Sequence, residues 1–173
     1  MTMTRRPRPG IRNPRTISQL RERTRRSARP QPAGAPIVVA IDDSSAAKAG
    51  SHAAVRLARE VAAPVVFVYV RRGPALALGR PYYQRRLDRE MLIGGRALND
   101  ALALAERAGV PATGEELEGH PARRVVEFAR SRGARMVVLG SRRRRLRPSI
   151  SRRVIRKADS AVLVAGRAAP VAA

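Results

Sequence analysis

The residues best suited to chemistry lie in one stretch of the chain, at positions 136–164. An apolar run typical of a strand ends at Gly140, and an arginine-rich segment leads to Pro148-Ser149-Ile150-Ser151, which is typical of a helix start. Backbone N–H groups and hydroxyls at such a junction bind phosphate. Arg142 or Arg144 would add charge-assisted hydrogen bonds. This spacing predicts an anion site.

Two further pairs of residues are expected at the same edge of the predicted sheet, because open parallel sheets bind ligands beyond the carboxyl ends of their strands. Asp42 and Asp43 follow the first predicted strand, and Val70 and Arg71 follow the second. Asp42 can accept a hydrogen bond from a ribose hydroxyl or an adenine edge, or hold a metal-bound phosphate. A simpler interpretation stays open, in which Ser149 only caps its helix and Asp42 is only a turn residue.

Side chains that could carry hydrolysis are poorly placed. Ser44 and His52 would lie two turns apart on one helix, and His120 lies in a turn, so no Ser-His-Asp arrangement follows. The chain has no cysteine and only two histidines, which excludes thiol catalysis, disulfides and Cys-ligated metals. Three glutamates at 115–118 are typical of a solvated edge rather than of a metal site. We therefore expect a protein that is not an enzyme and holds no metal.

The net charge of +23 is the most unusual feature of the composition. Residues 1–36 contain ten arginines and one acid, a net charge of +9, and the other +14 lies on residues 37–173. Such a field attracts nucleic acid, polyphosphate or anionic membranes. With aromatic residues at 3%, duplex or structured RNA is the expected nucleic-acid partner rather than stacked bases. The alternative is compositional, since 34 of the 36 cations are arginine, as a GC-rich genome would favour.

The elements that must position these residues alternate between strand and helix. Strands are predicted at 37–41, 64–70, 113–118, 136–139 and 161–164, with 113–118 at an edge. Helices are predicted at 46–61, 82–108 and 122–132, and a short one opens at Pro148. The residues expected to face the core from the first and third helices are Ala49, Ala53, Leu57 and Val61, then Val125, Val126 and Ala129. This order predicts an α/β fold, a three-layer sandwich around a five-stranded parallel sheet.

The ends of the chain differ in composition from the middle. Residues 1–36 are rich in arginine and proline and nearly free of large apolar groups, so we expect a disordered basic extension. The folded domain is expected at 37–166, and residues 167–173 are expected to form a flexible tail. The longest apolar run, 61–70, is about half the ~20 residues that a membrane helix needs. We expect no membrane span, no secretory leader and a cytoplasmic location.

Three segments, in this order and spacing, resemble the universal stress protein family: PIVVAIDDS, GHPARRVVEFARSRGARMVVLGS and PSISRRVIRKADSAVLV. The resemblance extends over residues 36–166. The V-D-x-S motif of the family is matched at 41–44, and its G-x-P turn at 119–121. The resemblance implies a Rossmann-like, adenine nucleotide alpha hydrolase-like fold, a role in stress response and homodimers formed through the last strand.

The nucleotide loop of the family, G-x2-G-x9-G-(S/T), is altered in this chain. Arg143 and Pro148 replace the second and third glycines, and the spacer is five residues short. Arginine and proline lose the close backbone approach that glycine allows, which predicts weak or lost ATP binding. The residues that the resemblance assigns to the adenine nucleotide are Asp42, Val70, Gly140, Ser141, Arg142, Ser149, Ile150 and Ser151. The alternative function is binding of nucleic-acid phosphates through the basic extension and the arginines from Arg142 to Arg153.

Overall fold

The computed structural model describes residues 34–72, 80–141 and 150–166, and at 80–86 it describes the backbone alone. Strands and helices alternate along these ranges. The strands are β1 (Ile37–Ile41), β2 (Val65–Arg71), β3 (Ala112–Glu118), β4 (Met136–Gly140) and β5 (Ala161–Ala165). The helices are α1 (Ser45–Glu60), α2 (Arg80–Arg107), α3 (Pro121–Ser131) and α4 (Ile150–Ile155). Every predicted strand and helix is present, with its ends within two residues of the prediction.

The five strands form one parallel sheet in the order β3-β2-β1-β4-β5. The chain runs outward from β1 through β2 to β3, and then crosses to the other side of β1 to form β4 and β5. The strand order therefore reverses between β1 and β4, which is where open α/β sheets bind ligands. As predicted, β3 lies at an edge of the sheet.

Two hydrophobic clusters cover the two faces of the sheet. The first packs α1 and α2 against side chains that include Val39 and Phe67, and the second packs α3 and α4 against Val38 and Val66. Val38 and Val39 are both fully buried, because successive side chains of a strand point to opposite faces and each face has a helical layer. The predicted three-layer sandwich with a Rossmann-like parallel sheet is confirmed.

The inner face predicted for α1 is correct only at Leu57, which packs against the first cluster, while that of α3 is confirmed. Ala49, Ala53 and Leu57 are only partly buried, and Val61 is exposed. Alanine occupies every side of this helix, so hydrophobicity alone gives little information on which side is buried. The smallest residues face the sheet instead, and the buried set is Ala47, Gly50, Ser51, Ala54, Val55 and Ala58. In α3, Val125, Val126 and Ala129 are buried as expected.

Three helices end on a residue with positive φ, the left-handed conformation that closes many helices. Gly109 after α2 has φ 67°, and Gly133 after α3 has φ 55°. Gly109 confirms the predicted stop of α2. After α1 the same role falls to Ala62, with φ 49°, although its Cβ makes that conformation costly.

Most of the predicted extension and the predicted tail lie outside the described residues, which contain only 34–36 of the extension and nothing beyond 166. Pro36 is held at the start of the domain, where its carbonyl oxygen accepts a hydrogen bond from the N–H of Arg135 at 3.0 Å. In the part of the chain that the structure describes, no helix has the length and apolar character to cross a membrane.

Candidate functional site

The turn after β1 is fixed by hydrogen bonds between Asp42 and Ser44. Oδ1 of Asp42 accepts from the backbone N–H of Ser44 at 3.1 Å and also from the Ser44 hydroxyl. The Ser44 oxygen in turn accepts from the N–H of Ala47 at 3.1 Å and so caps α1. Ser44 thus holds the Asp42 carboxylate at the carboxyl edge of the sheet, beside the reversal of strand order.

Gly140, at the end of β4, lies directly against the first turn of α1. A Cβ atom at this position would overlap the carbonyl oxygen of Ala46 and lie 2.7 Å from the nitrogen of Ala47. One turn further along α1, a Cβ at Gly50 would lie 3.1 Å from the nitrogen of Gly140. Strand and helix therefore meet backbone to backbone, which brings Gly140 close to the Asp42–Ser44 turn.

The other residues assigned to the phosphate loop are only partly within the described ranges. Ser141 donates its N–H to the carbonyl oxygen of Ala165 at 2.8 Å, which prolongs the pairing of β4 with β5. Ile150 is exposed and Ser151 is half-buried at the start of α4. Arg142 and Ser149 lie outside the described residues. The structure thus places Asp42 and Gly140 together and leaves the loop between β4 and α4 undescribed.

Val70 lies at the end of β2, half-buried, with its side chain packed against the α3–α4 cluster. The next residue, Arg71, forms ion pairs with two glutamates of β3, 2.6 Å to Glu118 and 3.6 Å to Glu116. These ion pairs link the carboxyl end of β2 to the carboxyl end of β3. The side chain of Val70 therefore belongs to the hydrophobic core. Its backbone lies at the carboxyl edge of the sheet.

Tyr69 is a buried residue at this edge that the sequence analysis did not single out. It lies next to Ile41 in the strand register and packs its ring against Gly94 of α2, where a Cβ would lie 2.7 Å from the ring. Burial raises the pKa of the Tyr69 hydroxyl, and the carboxylates of Glu90, Glu116, Asp42 and Asp43 raise it further. The Tyr69 hydroxyl is the one polar side-chain group in the apolar run VVFVYV, and this was the feature of the sequence that could have identified the residue.

The two histidines lie on opposite helical layers. His52 is exposed on α1, as expected, and His120 is an exposed residue at the N-cap position of α3. Arg153 of α4 donates from Nη1 to Nε2 of His120 at 2.9 Å. Ser44, the serine weighed against His52, bonds to Asp42 and Ala47 instead, and the adjacent Ser51 donates its hydroxyl to the carbonyl oxygen of Ala47.

The fold and its polar edge define the class of this protein, an open parallel α/β sandwich of the Rossmann-like type with an acidic residue fixed at the switch in strand order. Residues 35–166 match the family model of the universal stress proteins. The chain belongs to the universal stress protein family.

Relatives of this family support the assignment. The universal stress protein MJ0531 of Methanocaldococcus jannaschii is 34% identical over 136 residues, which cover 74% of this chain and 79% of that protein. A family member from Burkholderia pseudomallei is 31% identical, with a TM-score of 0.65 over 78% of this chain and 98% of that one. A universal stress protein from Archaeoglobus fulgidus, solved in complex with dAMP, is 26% identical, with a TM-score of 0.63 over 76% of this chain and 98% of that one.

Proposed function

We propose that this chain is a non-catalytic stress-response module that binds an adenine nucleotide weakly at the carboxyl edge of its sheet. The observation that carries the proposal is the Asp42 carboxylate, which Ser44 fixes beside the switch in strand order. A carboxylate in this place can accept hydrogen bonds from a ribose or adenine. The Archaeoglobus fulgidus relative, solved with dAMP, supports an adenine nucleotide as the ligand class.

We expect weak binding because the part of the site that would hold the phosphate groups is altered. The space that glycine leaves at position 140 is filled by the backbone of α1, so this glycine serves packing and leaves no room for phosphate on that side. Arg143 and Pro148 stand at the two other glycine positions of the family motif. The edge thus retains an acceptor for the adenosine and lacks the glycine backbone that cradles phosphates.

The proposal is tested by titrating the full chain with AMP and ATP while heat released and melting temperature are measured. Asp42→Asn should lower the affinity about tenfold, the equivalent of one charge-assisted hydrogen bond of about 1.4 kcal/mol. Asp43→Asn, at the exposed neighbouring position, is the matched control and should leave the affinity unchanged. The absence of binding by either nucleotide, or an equal effect of the two variants, would contradict the proposal.

The non-catalytic role is supported by the arrangement of the polar groups. The Ser44 hydroxyl is used as a helix cap and as a donor to Asp42, and His120 accepts from Arg153. A catalytic serine of the Ser-His-Asp type needs a histidine as its hydrogen-bond partner instead. The cytoplasmic location expected from the sequence stays a prediction.

We also propose that the protein forms homodimers through β5. This strand lies at an edge of the sheet and has the sequence AVLVA, with no charged residue. The opposite edge strand, β3, carries three glutamates. Charged side chains on an edge strand discourage pairing with another chain, so β5 is the edge better suited to pair with a second copy.

A second candidate function is attachment to nucleic-acid phosphates through residues 1–36 and the arginines between Arg142 and Arg153. The observation that favours it is that Arg153 has a histidine rather than a carboxylate as its hydrogen-bond partner. Duplex binding by the full chain should weaken steeply with salt, and removal of residues 1–33 should reduce the slope. A flat dependence on salt would exclude this function.

A further inference from the structure

The positive charge of the domain is confined to one part of the sequence. Residues 37–120 carry 11 cations and 10 acids, a net charge of only +1. Residues 121–158 carry 14 cations and a single acid, Glu127, a net charge of +13, of which +8 falls on described residues. A genome-wide preference for arginine would act on both segments alike. The imbalance therefore reflects a local excess of arginine that carboxylates do not offset.

The fold turns this difference in sequence into a difference between two faces of the molecule. Residues 121–158 contain α3, β4 and α4, and both helices cover the same face of the sheet. The opposite face is covered by α1 and α2, which belong to the nearly neutral segment. Of the described residues, those of the segment that forms this layer carry most of the excess positive charge, and their field points from that layer.

Among the described residues of that layer, ion pairs engage the arginines of α3, whereas three cations in and just after α4 have no carboxylate partner. Arg123 and Arg124 both bond to Glu127, at 2.7 and 2.9 Å, and Arg130 bonds to Asp159 at 2.7 Å. No carboxylate of the described residues lies within 4.0 Å of the three cations that we call the α4 cationic patch, which are Arg153, Arg156 and Lys157.

The patch adjoins an open groove, and one of its three cations, Arg153, is held by a hydrogen bond. The groove, about 490 Å³ in volume, is lined by Arg152, Arg153 and Arg156 around the exposed Ile155. The hydrogen bond from Arg153 to His120 joins α4 to the start of α3, so this guanidinium has a defined position. Guanidinium groups placed in this way donate to phosphate oxygens with good geometry.

We infer that the α4 cationic patch is the contact surface of the domain for the phosphate backbone of duplex nucleic acid. The inference deepens the second candidate function and rests on it, and it locates the contact on the α3–α4 face rather than on the whole basic surface. Cations that have no carboxylate partner can each bind a phosphate of the nucleic-acid backbone. Such contacts are independent of the base sequence.

A duplex suits this surface better than the other polyanions. Binding of single strands relies on exposed aromatic rings, and among the described side chains of α3 and α4 the one aromatic residue is Phe128, which is half-buried beneath Arg132. Anionic membranes are bound by helices with a broad apolar face, whereas α4 has six residues and exposes two isoleucines. Vesicles and single strands are therefore alternatives for the experiment to exclude.

The experiment compares two double variants of the full chain with equal net charge. Arg153→Gln with Arg156→Gln removes two cations of the patch, and Arg56→Gln with Arg59→Gln removes two exposed cations of α1, on the opposite layer. Affinity for a random 20-base-pair DNA duplex is measured by fluorescence anisotropy over a range of salt concentrations. Each phosphate contact contributes about 0.9 to the slope of log K against log salt, so the patch variant should lower the slope by about 1.8. The α1 variant should leave it unchanged.

The possible failures are distinguishable. If the two variants lower the slope equally, the charge acts as a diffuse field and the inference is wrong, while nucleic-acid attachment itself stands. If the unchanged full chain does not bind the duplex, the second candidate function fails and this inference fails with it. Tighter binding to the matching single strand, or Arg153- and Arg156-dependent binding to phosphatidylserine vesicles without duplex binding, would overturn the assignment to a duplex.

Discussion

Tyr69 shows how a single residue can report on the candidate site. Its side chain is buried at the carboxyl edge of the sheet, and the carboxylates of Glu90, Glu116, Asp42 and Asp43 act on its hydroxyl from α2, β3 and the turn after β1. Both burial and negative neighbours disfavour the tyrosinate, so the pKa of Tyr69 lies above its usual value of 10.0. The residue is thus neutral near neutral pH and fills the gap between β2 and α2.

This raised pKa predicts a dependence of stability on alkaline pH. Below pH 10 Tyr69 is protonated in both states, and above it the unfolded chain ionises first, so stability falls as pH rises, by up to about 1.4 kcal/mol per pH unit. Tyr69→Phe should remove this loss and should have little effect at pH 7. Urea unfolding of both proteins from pH 8 to pH 11 measures the difference. Parallel curves above pH 10 would show that the tyrosine ionises equally in both states.

Gly140 is a second residue whose role the structure redefines. Its lack of a side chain is required by the backbone of α1, so Gly140→Ala should destabilise the fold by about 2 kcal/mol or more, even without nucleotide. Gly166→Ala is the matched control, because a Cβ at Gly166 would have nothing within 4 Å, and its cost should stay below about 0.5 kcal/mol. Chemical denaturation checks both values. Equal stabilities of the two variants would show that β4 and α1 can move apart.

At the scale of the element, α2 offers a test with two adjacent glycines. A Cβ at Gly94 would lie 2.7 Å from the Tyr69 ring, whereas one at Gly95 would meet nothing within 4 Å. Gly95→Ala should therefore stabilise the protein by up to about 1 kcal/mol, the difference in helix propensity. Gly94→Ala gains the same propensity but must displace the ring, and we expect a net loss of about 1–2 kcal/mol. Thermal melts of the two variants should shift in opposite directions, and a shared upward shift would show that the ring moves freely.

The sequence was sufficient to predict the elements and their order because each strand is a compact apolar run and each helix has a clear stop. Gly109 and the β-branched run of β1 are examples. It could not predict the inner face of α1, since alanine surrounds that helix and the packing of Gly50 on Gly140 depends on residues 90 positions apart. The site was predictable at Asp42, which follows β1 directly. Tyr69 was missed because its acidic neighbours come from three separate segments of the chain.

At the scale of the whole molecule, the two edges of the sheet differ in how they meet another chain. At β3, Arg71 and Arg132 bond to the glutamates of the strand, and this polar rim opposes pairing with a second sheet. At β5, the described residues show pairing with β4 on one side, and the strand offers only alanine, valine and leucine. The molecule is therefore asymmetric in its edges as well as in the charge of its helical layers.

The proposed dimer predicts that a charge placed on β5 separates the subunits. Ala161 is exposed at the start of the strand, so Ala161→Lys can fold normally, yet it places a cation where two copies of β5 would pair. A lysine on an edge strand hinders pairing with another strand, because its charge would lose water on pairing. Asn99→Lys adds the same charge at an exposed position of α2 and is the matched control. Sedimentation equilibrium should show a dimer for the unchanged chain and the control and a monomer for Ala161→Lys. A dimer that survives Ala161→Lys unchanged would place the interface elsewhere.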